Sequence, residues 1–501
     1  MTSLLTFLSI TPFILFIILL FYKKTSLLFA SLAILVMTLA VVFLVWKILP
    51  DYILYSTVKG FWVALDILFI IFGAIFFLEI LKSLKIIENL GRLLEGFSKD
   101  YRVQVILLAW FLESFLEGTT GFGAPLVVVA PILVSLGLKP ITAVIICLLG
   151  NSASNIFGAV GAPLRIGFAG LDTTFVPNYA ASVNLIGFLV PTFILWTLTA
   201  QLEEGRKSFW EGLPFAIWSG FAFVVPSLLA VSLGQEFPSI IGAVVGLLLV
   251  ILTLRLKLFI PKQVRTLKKN QKLEVNLPLI KIVSPYVFLI GLLILGKIFL
   301  GPISLNLIIG RNIKHSLSFF NPGFAFIAAG VLVAIIWGER KKLFFKAVNI
   351  ARQRTIEPFL VIICMSTVVQ LMINSGNNSS GLPSVLGLLA INFETPLLPF
   401  WAPFIGAFGS FLTGSITISN LMFGNFLNTA GNAIKLNASK ILALEAVGAA
   451  AGNMIALADI LSAETVVGLK NEEKKILKEV IIPCLIYVTL VGIIGLIINY
   501  A

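Results

Sequence analysis

The chain has 501 residues, 59% hydrophobic and 12% charged, with a mean hydropathy of +1.06. Soluble domains carry about twice that charged fraction, so a soluble globular fold is excluded for want of polar surface. The net charge of +13 is gathered into short stretches between apolar runs, which is the positive-inside pattern of a membrane protein and not a nucleic-acid footprint.

Runs long enough to span a bilayer are predicted at 4–22, 26–46 and 60–81. The first ends in Lys23–Lys24 and lacks a basic start and a small-residue cleavage site, so it reads as a span and not a cleaved signal. An amphipathic stretch follows at 82–102. Residues 103–169 are apolar but interrupted by Gly, Ser, Thr and Asn, and do not parse as simple spans. Further spans are predicted at 180–201, 212–233 and 236–254, then a strongly basic stretch at 255–276, then spans at 283–300, 321–338 and 356–374. After the polar segment SGNNSSGLP (375–383) come a second interrupted region, 397–470, and a last span at 478–499. No run alternates in polarity as barrel strands do, so the fold class is an all-α polytopic membrane protein. Cys147, Cys364 and Cys484 lie inside apolar runs and imply no disulfide framework.

With 255–276 placed in the cytoplasm, alternation puts 82–102, 203–207, 339–342 and 471–478 on the same side and 375–383 outside. This requires 103–137 and 397–430 each to enter and leave on one side, giving about twelve crossings and both termini outside. The arms around GTTGFGAP, 103–117 and 124–137, are about 21 Å long as helices. That is short of the roughly 30 Å hydrocarbon core, so re-entrant hairpins are expected. Such backbone is tolerated at membrane depth only where protein or a water-filled cavity surrounds it. Arg311, Lys314 and His315 fall outside against the basic trend, and His315, the only histidine, is expected to be solvated there.

The two interrupted regions share an order of features. FLEGTTGFG (115–123) precedes LGNSASNIFGAVGAP (149–163), and FLTGSITISN (411–420) precedes AGNMIALADILSAE (451–464). Each half has F-L-x-G opening a hairpin turn, a second arm, and then a helix broken at a Gly-Asn pair, Gly150–Asn151 and Gly452–Asn453. The charge pattern gives the halves opposite orientation, the inverted-topology repeat of secondary transporters, whose site lies near the midplane. The expected division is a first half, 1–254, with hairpin 103–137 and broken helix 139–169; a basic cytoplasmic linker, 255–282; and a second half, 283–501, with hairpin 397–430 and broken helix 438–470.

Half-helix N-termini favour anions, and hydroxyl and amide groups gather at the same places. Candidates for substrate binding are Gly118, Thr119, Thr120 and Gly121 at the first turn and Thr413, Gly414, Ser415, Thr417, Ser419 and Asn420 at the second. Asn151, Ser152, Ser154, Asn155 and Asn453 join them at the breaks. The set suits a small hydroxylated anion. No buried cluster of Arg and Lys accompanies it, which argues against a polyanion. Intramembrane acids are functional hypotheses by default. Glu117, one residue before the first turn, is the best candidate for a coupling proton, with Glu113 one helical turn earlier and Asp459 on the second broken helix. Arg165 and Glu79 are expected at the interfaces, while Asp66 lies within a span. One histidine cannot supply H-E-x-x-H or a Ser-His pair, so an intramembrane enzyme is disfavoured, and no cofactor is implied.

LEGTTGFGAP (116–125) resembles the Glu-Gly-x-x-Gly-Phe-Gly-x-Pro signature of the lactate permease family, and NSASNIFGAVGAP resembles its Asn-Thr-Ala…Phe-Gly-Ala-x-Gly-x-Pro segment. The likeness continues through 402–424 and 442–456 to EEKKILKEVIIPCLIY near the C-terminus. It implies a cell-membrane importer of L-lactate, D-lactate and glycolate with protons. Two departures fall at the inferred site: Ser154 and Asn155 stand where members often have Pro and Val, and Ala458 and Asp459 where many have His and Asn. The expected activity is therefore proton symport of small 2-hydroxymonocarboxylates by alternating access. Its partners are the organic anion, protons and the bilayer. The alternatives are sodium coupling, a dicarboxylate or other organic anion as cargo, or a passive channel, which would not accumulate its solute.

Overall fold

The computed structural model describes residues 2–21, 25–121, 123–201, 205–267, 276–310, 313–338, 341–392 and 395–500. Lys23–Lys24, Phe122, Arg311 and parts of the basic stretches at 203–207, 255–276 and 339–342 lie outside the described residues.

The first half runs through α1 (Thr2–Phe21), α2 (Leu27–Leu44), α3 (Pro50–Ser83) and the amphipathic α4 (Ile86–Glu95). Next come α5 (Tyr101–Ile106), a π-helical stretch (Leu107–Leu112) and α6 (Glu113–Thr119), which form one continuous rod. After a glycine turn follow α7 (Ala124–Ser135), α8 (Pro140–Gly150), α9 (Gly158–Gly167), α10 (Val176–Val183), α11 (Val190–Gln201), α12 (Gly205–Ala230) and α13 (Pro238–Arg255). The second half runs through α14 (Leu279–Leu300), strands β1 (Ser304–Ile308) and β2 (Lys314–Ser318), α15 (Pro322–Ile336) and α16 (Lys341–Asn374). It ends with α17 (Val385–Asn392), α18 (Leu398–Thr413), α19 (Ile416–Ala433), α20 (Ala438–Gly452), α21 (Leu457–Val467) and α22 (Glu473–Tyr500).

Among the described residues nine helices are long and apolar enough to cross a membrane, or ten if the bent pair α8–α9 is one span. The chain is thus an all-α polytopic membrane protein, and each of the ten simple spans read from the sequence is a helix. Two run well past their apolar stretch: α3 and α16 have 34 residues each, because their polar ends continue the helix. The first arm is also longer than 103–117, about 28 Å for the rod 101–119. The β-hairpin, α17 and the π-helical stretch left no mark in the apolar pattern.

Packing explains where the breaks sit. α3 and α16 lie antiparallel along their length: the Ser366 hydroxyl donates to Gly60 O at 2.8 Å and the Ser56 hydroxyl to Gln370 O at 3.3 Å. Gly60 permits this approach, since a Cβ there would stand 2.8 Å from Thr367 Cα. The window of α20–α21 is 78% buried, against 33% for α2 and α14, so α20–α21 is the interior span and those two face lipid. Each break glycine rests on its own first arm, Gly150 against Ala109 and Gly452 against Ala407. The second arms cross over: α7 packs on α21, and α19 packs on α9.

The two breaks differ. α8 and α9 meet at 62°, and Ala159, Val160 and Gly161 in the first turn of α9 hold φ of 42°, 58° and 76°. A β-branched residue in the left-handed region costs about 1–2 kcal/mol, and such strain persists only where the surroundings enforce it. At the second break a single tight turn, Asn453–Ile455, precedes extended Ala456, and α20–α21 continues as one span of 30 residues.

Candidate functional site

The turns of both interrupted regions are built on left-handed glycines: Gly121 (φ 56°), Gly123 (φ 71°) and Gly414 (φ 66°). They also bring backbone close to the breaks. A Cβ on Gly121 would meet Ala159 Cβ at 2.7 Å, one on Gly123 would meet Asp459 Oδ1 at 3.3 Å, and one on Gly414 would meet Ala458 Cβ at 2.8 Å. Between the turns and breaks lies a cavity of about 530 Å³.

Of the sequence candidates, Glu117, Gly121, Thr413, Gly414, Ser415, Thr417, Asn453 and Asp459 line this cavity, together with Asn155. The others do not line it, and four of their hydroxyls bond to the backbone of their own segment. Thr119 and Thr120 donate to Leu116 O at 3.1 and 2.7 Å, Ser152 to Leu149 O at 2.7 Å and Ser154 to Asn151 O at 3.5 Å. Hydroxyls in membrane helices commonly bond in this way. Gly118 packs against Ser239 and Ile240 of α13. Ser419 reaches Gly406 O and the buried Glu445, and Asn420 donates to Pro163 O at 3.0 Å, tying α19 to α9. Asn151 stands beside Glu117 behind the wall. Glu113 is fully buried with the Cys147 thiol beside it, and neither carboxyl oxygen has a partner in hydrogen-bond geometry.

Four of the lining side chains carry buried polar atoms without a protein partner: Glu117 Oε2, both side-chain polar atoms of Asn155, Asn453 Oδ1 and Asp459 Oδ2. Buried polar atoms are nearly always paired, so four such side chains around one space mark a place built for a solute, a proton or water. Glu117 and Asp459 both line it, near enough for their charges to interact. Among the described residues no group of three His, Cys, Asp or Glu side chains could hold a metal ion.

Sequence reading missed one wall. α16 contributes Gln353, Arg354, Glu357, Pro358, Val361 and Ile362, a stripe at i, i+4, i+8. It grades from exposed Gln353, Arg354 and Glu357 to buried Val361 and Ile362, so the cavity opens at the end of α16 that begins with Lys341 and Lys342. The available signal was a group of charges on one helical face just before an apolar run. Arg165 is not in the cavity. Its guanidinium donates to Phe320 O at 2.6 Å and lies 3.9 Å from Glu236, which also pairs with Lys297. His315 is not solvated: β2 carries it onto α3, where Nε2 lies 3.2 Å from Asp66 Oδ2 and the ring stacks on Trp62.

A multi-pass helical membrane protein with a cavity lined by acids, amides and hydroxyls among its helices has the form of a solute transporter. A sequence profile of the L-lactate permease family matches residues 5–303 and 303–501, and the chain belongs to that family. It is therefore a membrane transporter and not an enzyme. Among its relatives, an L-lactate permease of Salmonella typhimurium is 28% identical over 92% of this chain and 89% of that protein. An L-lactate permease of Escherichia coli K12 is 27% identical over 91% and 89%, and a glycolate permease of the same strain 26% over 89% and 86%.

Proposed function

We propose that the protein imports lactate, glycolate or a closely related 2-hydroxymonocarboxylate together with protons, by alternating access to the cavity between its two interrupted regions. The names of its relatives support the substrate class. The observation that carries the reading is the convergence of unpartnered buried atoms from both halves, Glu117 and Asn155 from one and Asn453 and Asp459 from the other. Ser415 and Thr417 supply hydroxyls, and the turn that opens α19 supplies free N–H groups, for an anion carrying its own hydroxyl.

Coupling follows from charge. An anion cannot enter a cavity walled by ionised Glu117 and Asp459 without strong like-charge repulsion in a weakly screened space. Protonating those acids removes the repulsion, so substrate and proton bind together and leave together. The crossed second arms and the antiparallel α3–α16 pair are what a two-fold inverted repeat produces, with re-entrant hairpins at 101–135 and 398–433 and halves divided at the basic linker. The basic end, where the cavity opens, is then cytoplasmic.

Purified protein in liposomes, offered ¹⁴C-lactate with an imposed pH gradient, should accumulate label above the equilibrium level. Accumulation driven by sodium alone, or equilibration without accumulation, would sink the proton-symport reading. Thr417→Val should raise the half-saturating lactate concentration about tenfold, the effect of deleting one hydrogen bond to a charged group.

A further inference from the structure

We infer that Arg354 is the docking position for the substrate carboxylate on the open face of the cavity, held in reserve there by Glu79. The inference rests on the reading of the cavity as an anion site. Arg354 is the one cation among the described residues that line the cavity, whose other charged members, Glu117, Glu357 and Asp459, are acids. An anion in the cavity therefore finds a single attractive charge in its described lining.

How Arg354 is held separates it from a structural arginine. Arg102, at the base of the first arm, is fully buried, and its guanidinium donates to Asp100 twice, to Ser208, to Glu211 and to Gln263 O. Arg354 is 58% exposed and makes one long contact, Nη1 to Glu79 Oε1 at 3.4 Å. Glu79 is 14% exposed and has a second cation, Lys82, at 3.6 Å. A single long contact between partners of which one is well exposed contributes little to stability. It leaves most of the guanidinium N–H groups unused, in the planar fork that matches a carboxylate bidentately. Glu79 can therefore release Arg354 while keeping Lys82. The stripe from Arg354 to Ile362 spans about 12 Å of wall, so a carboxylate moving between Arg354 and the Ser415–Thr417 turn, outward in import and inward in exchange, passes Glu357. Glu357, one turn along the same face, becomes a repulsive neighbour that keeps occupancy of the mouth brief.

The test uses membrane vesicles of both orientations carrying the full-length protein, with ¹⁴C-lactate. Offered from the face on which Arg354 lies, lactate should show a half-saturating concentration raised about tenfold in Arg354→Gln, the effect expected of one charge at close range in a partly screened site. The maximal rate should change less than the half-saturating concentration. Offered from the opposite face, the shift should be small. Arg354→Lys should recover part of the loss, and Glu79→Gln should lower the half-saturating concentration by removing the competitor. An unchanged value in Arg354→Gln, or equal impairment in Arg354→Gln and Glu79→Gln that the exchanged pair Glu79→Arg/Arg354→Glu repairs, would make the contact structural and overturn the inference. Absence of lactate transport in the unaltered protein would sink the functional reading itself. Loss of transport in Thr417→Val with Arg354→Gln unaffected would keep that reading and reject only this inference.

Discussion

Glu117 and Asp459 come from opposite halves of the chain and both line the cavity, each with an oxygen that no protein group satisfies. Glu117 is fixed on two sides: a Cβ on Gly158 would stand 2.3 Å from its Oε1, and Asn151 lies beside it. Its position is therefore set by backbone contact and not by an ion pair, which suits a group that changes charge in place. Glu117→Gln keeps the shape and removes the charge. Accumulation driven by a pH gradient should be lost, while exchange of labelled for unlabelled lactate continues and no longer varies with pH. Accumulation with an unaltered pH profile would move the proton to Asp459. The sequence disclosed these acids because charge in an apolar run is conspicuous. It could not rank the hydroxyls, since whether Thr120 faces Leu116 O or the cavity is decided by a rotamer and not by a residue type.

At the scale of elements, the break glycines do more than end a helix. Gly150 lets α8 lie directly on the first arm, where an added Cβ would fall 1.8 Å from Ala109 O. Backbone on both sides leaves little room to yield, so Gly150→Ala should destabilise by about 1–3 kcal/mol, the usual range for overpacking. Gly291→Ala, in α14 with nothing within 4 Å, is the control and should be neutral or slightly stabilising. Thermal unfolding of the two variants in detergent checks the pair. Both Gly-Asn breaks were legible because the pair interrupts an otherwise apolar run at corresponding places in the two regions. The β-hairpin was not: its strands are short and half polar, and β2 packs against α3. The contribution of α16 was hidden for a related reason. A charged helix end reads the same whether it meets water at a surface or at the mouth of a cavity.

Across the whole molecule, the end opposite the cavity mouth is closed by contacts between distant segments. Arg165 at the end of α9 reaches Phe320 before α15 and Glu236 before α13, and Glu236 in turn holds Lys297 of α14. Four separate stretches of chain are pinned by one buried carboxylate and its neighbours. Under the alternating access proposed above, opening on this side breaks them, so Glu236→Gln should shift the population towards the other access state. The native cysteines are buried, so a reporter Ser415→Cys can be read against a quiet background. It should react with a membrane-impermeant maleimide from the cavity's open face. Adding Glu236→Gln should raise its reactivity from the opposite face, and no rise would mean that this cluster does not latch the closed side.

The crossed arms also bear on how the chain is made. α7 finds its partner in α21 and α9 finds its partner in α19, elements that leave the ribosome some 250 to 330 residues later by their numbering. Until then the first half carries Glu113, Glu117 and the strained turn at Val160 with one face uncovered. The nascent first half is therefore an unfinished object that insertion factors and membrane proteases must tolerate. Its quality can be judged only when the last stretch arrives, and a chain severed within the basic linker should persist in cells when both fragments are made together and be degraded when either is made alone.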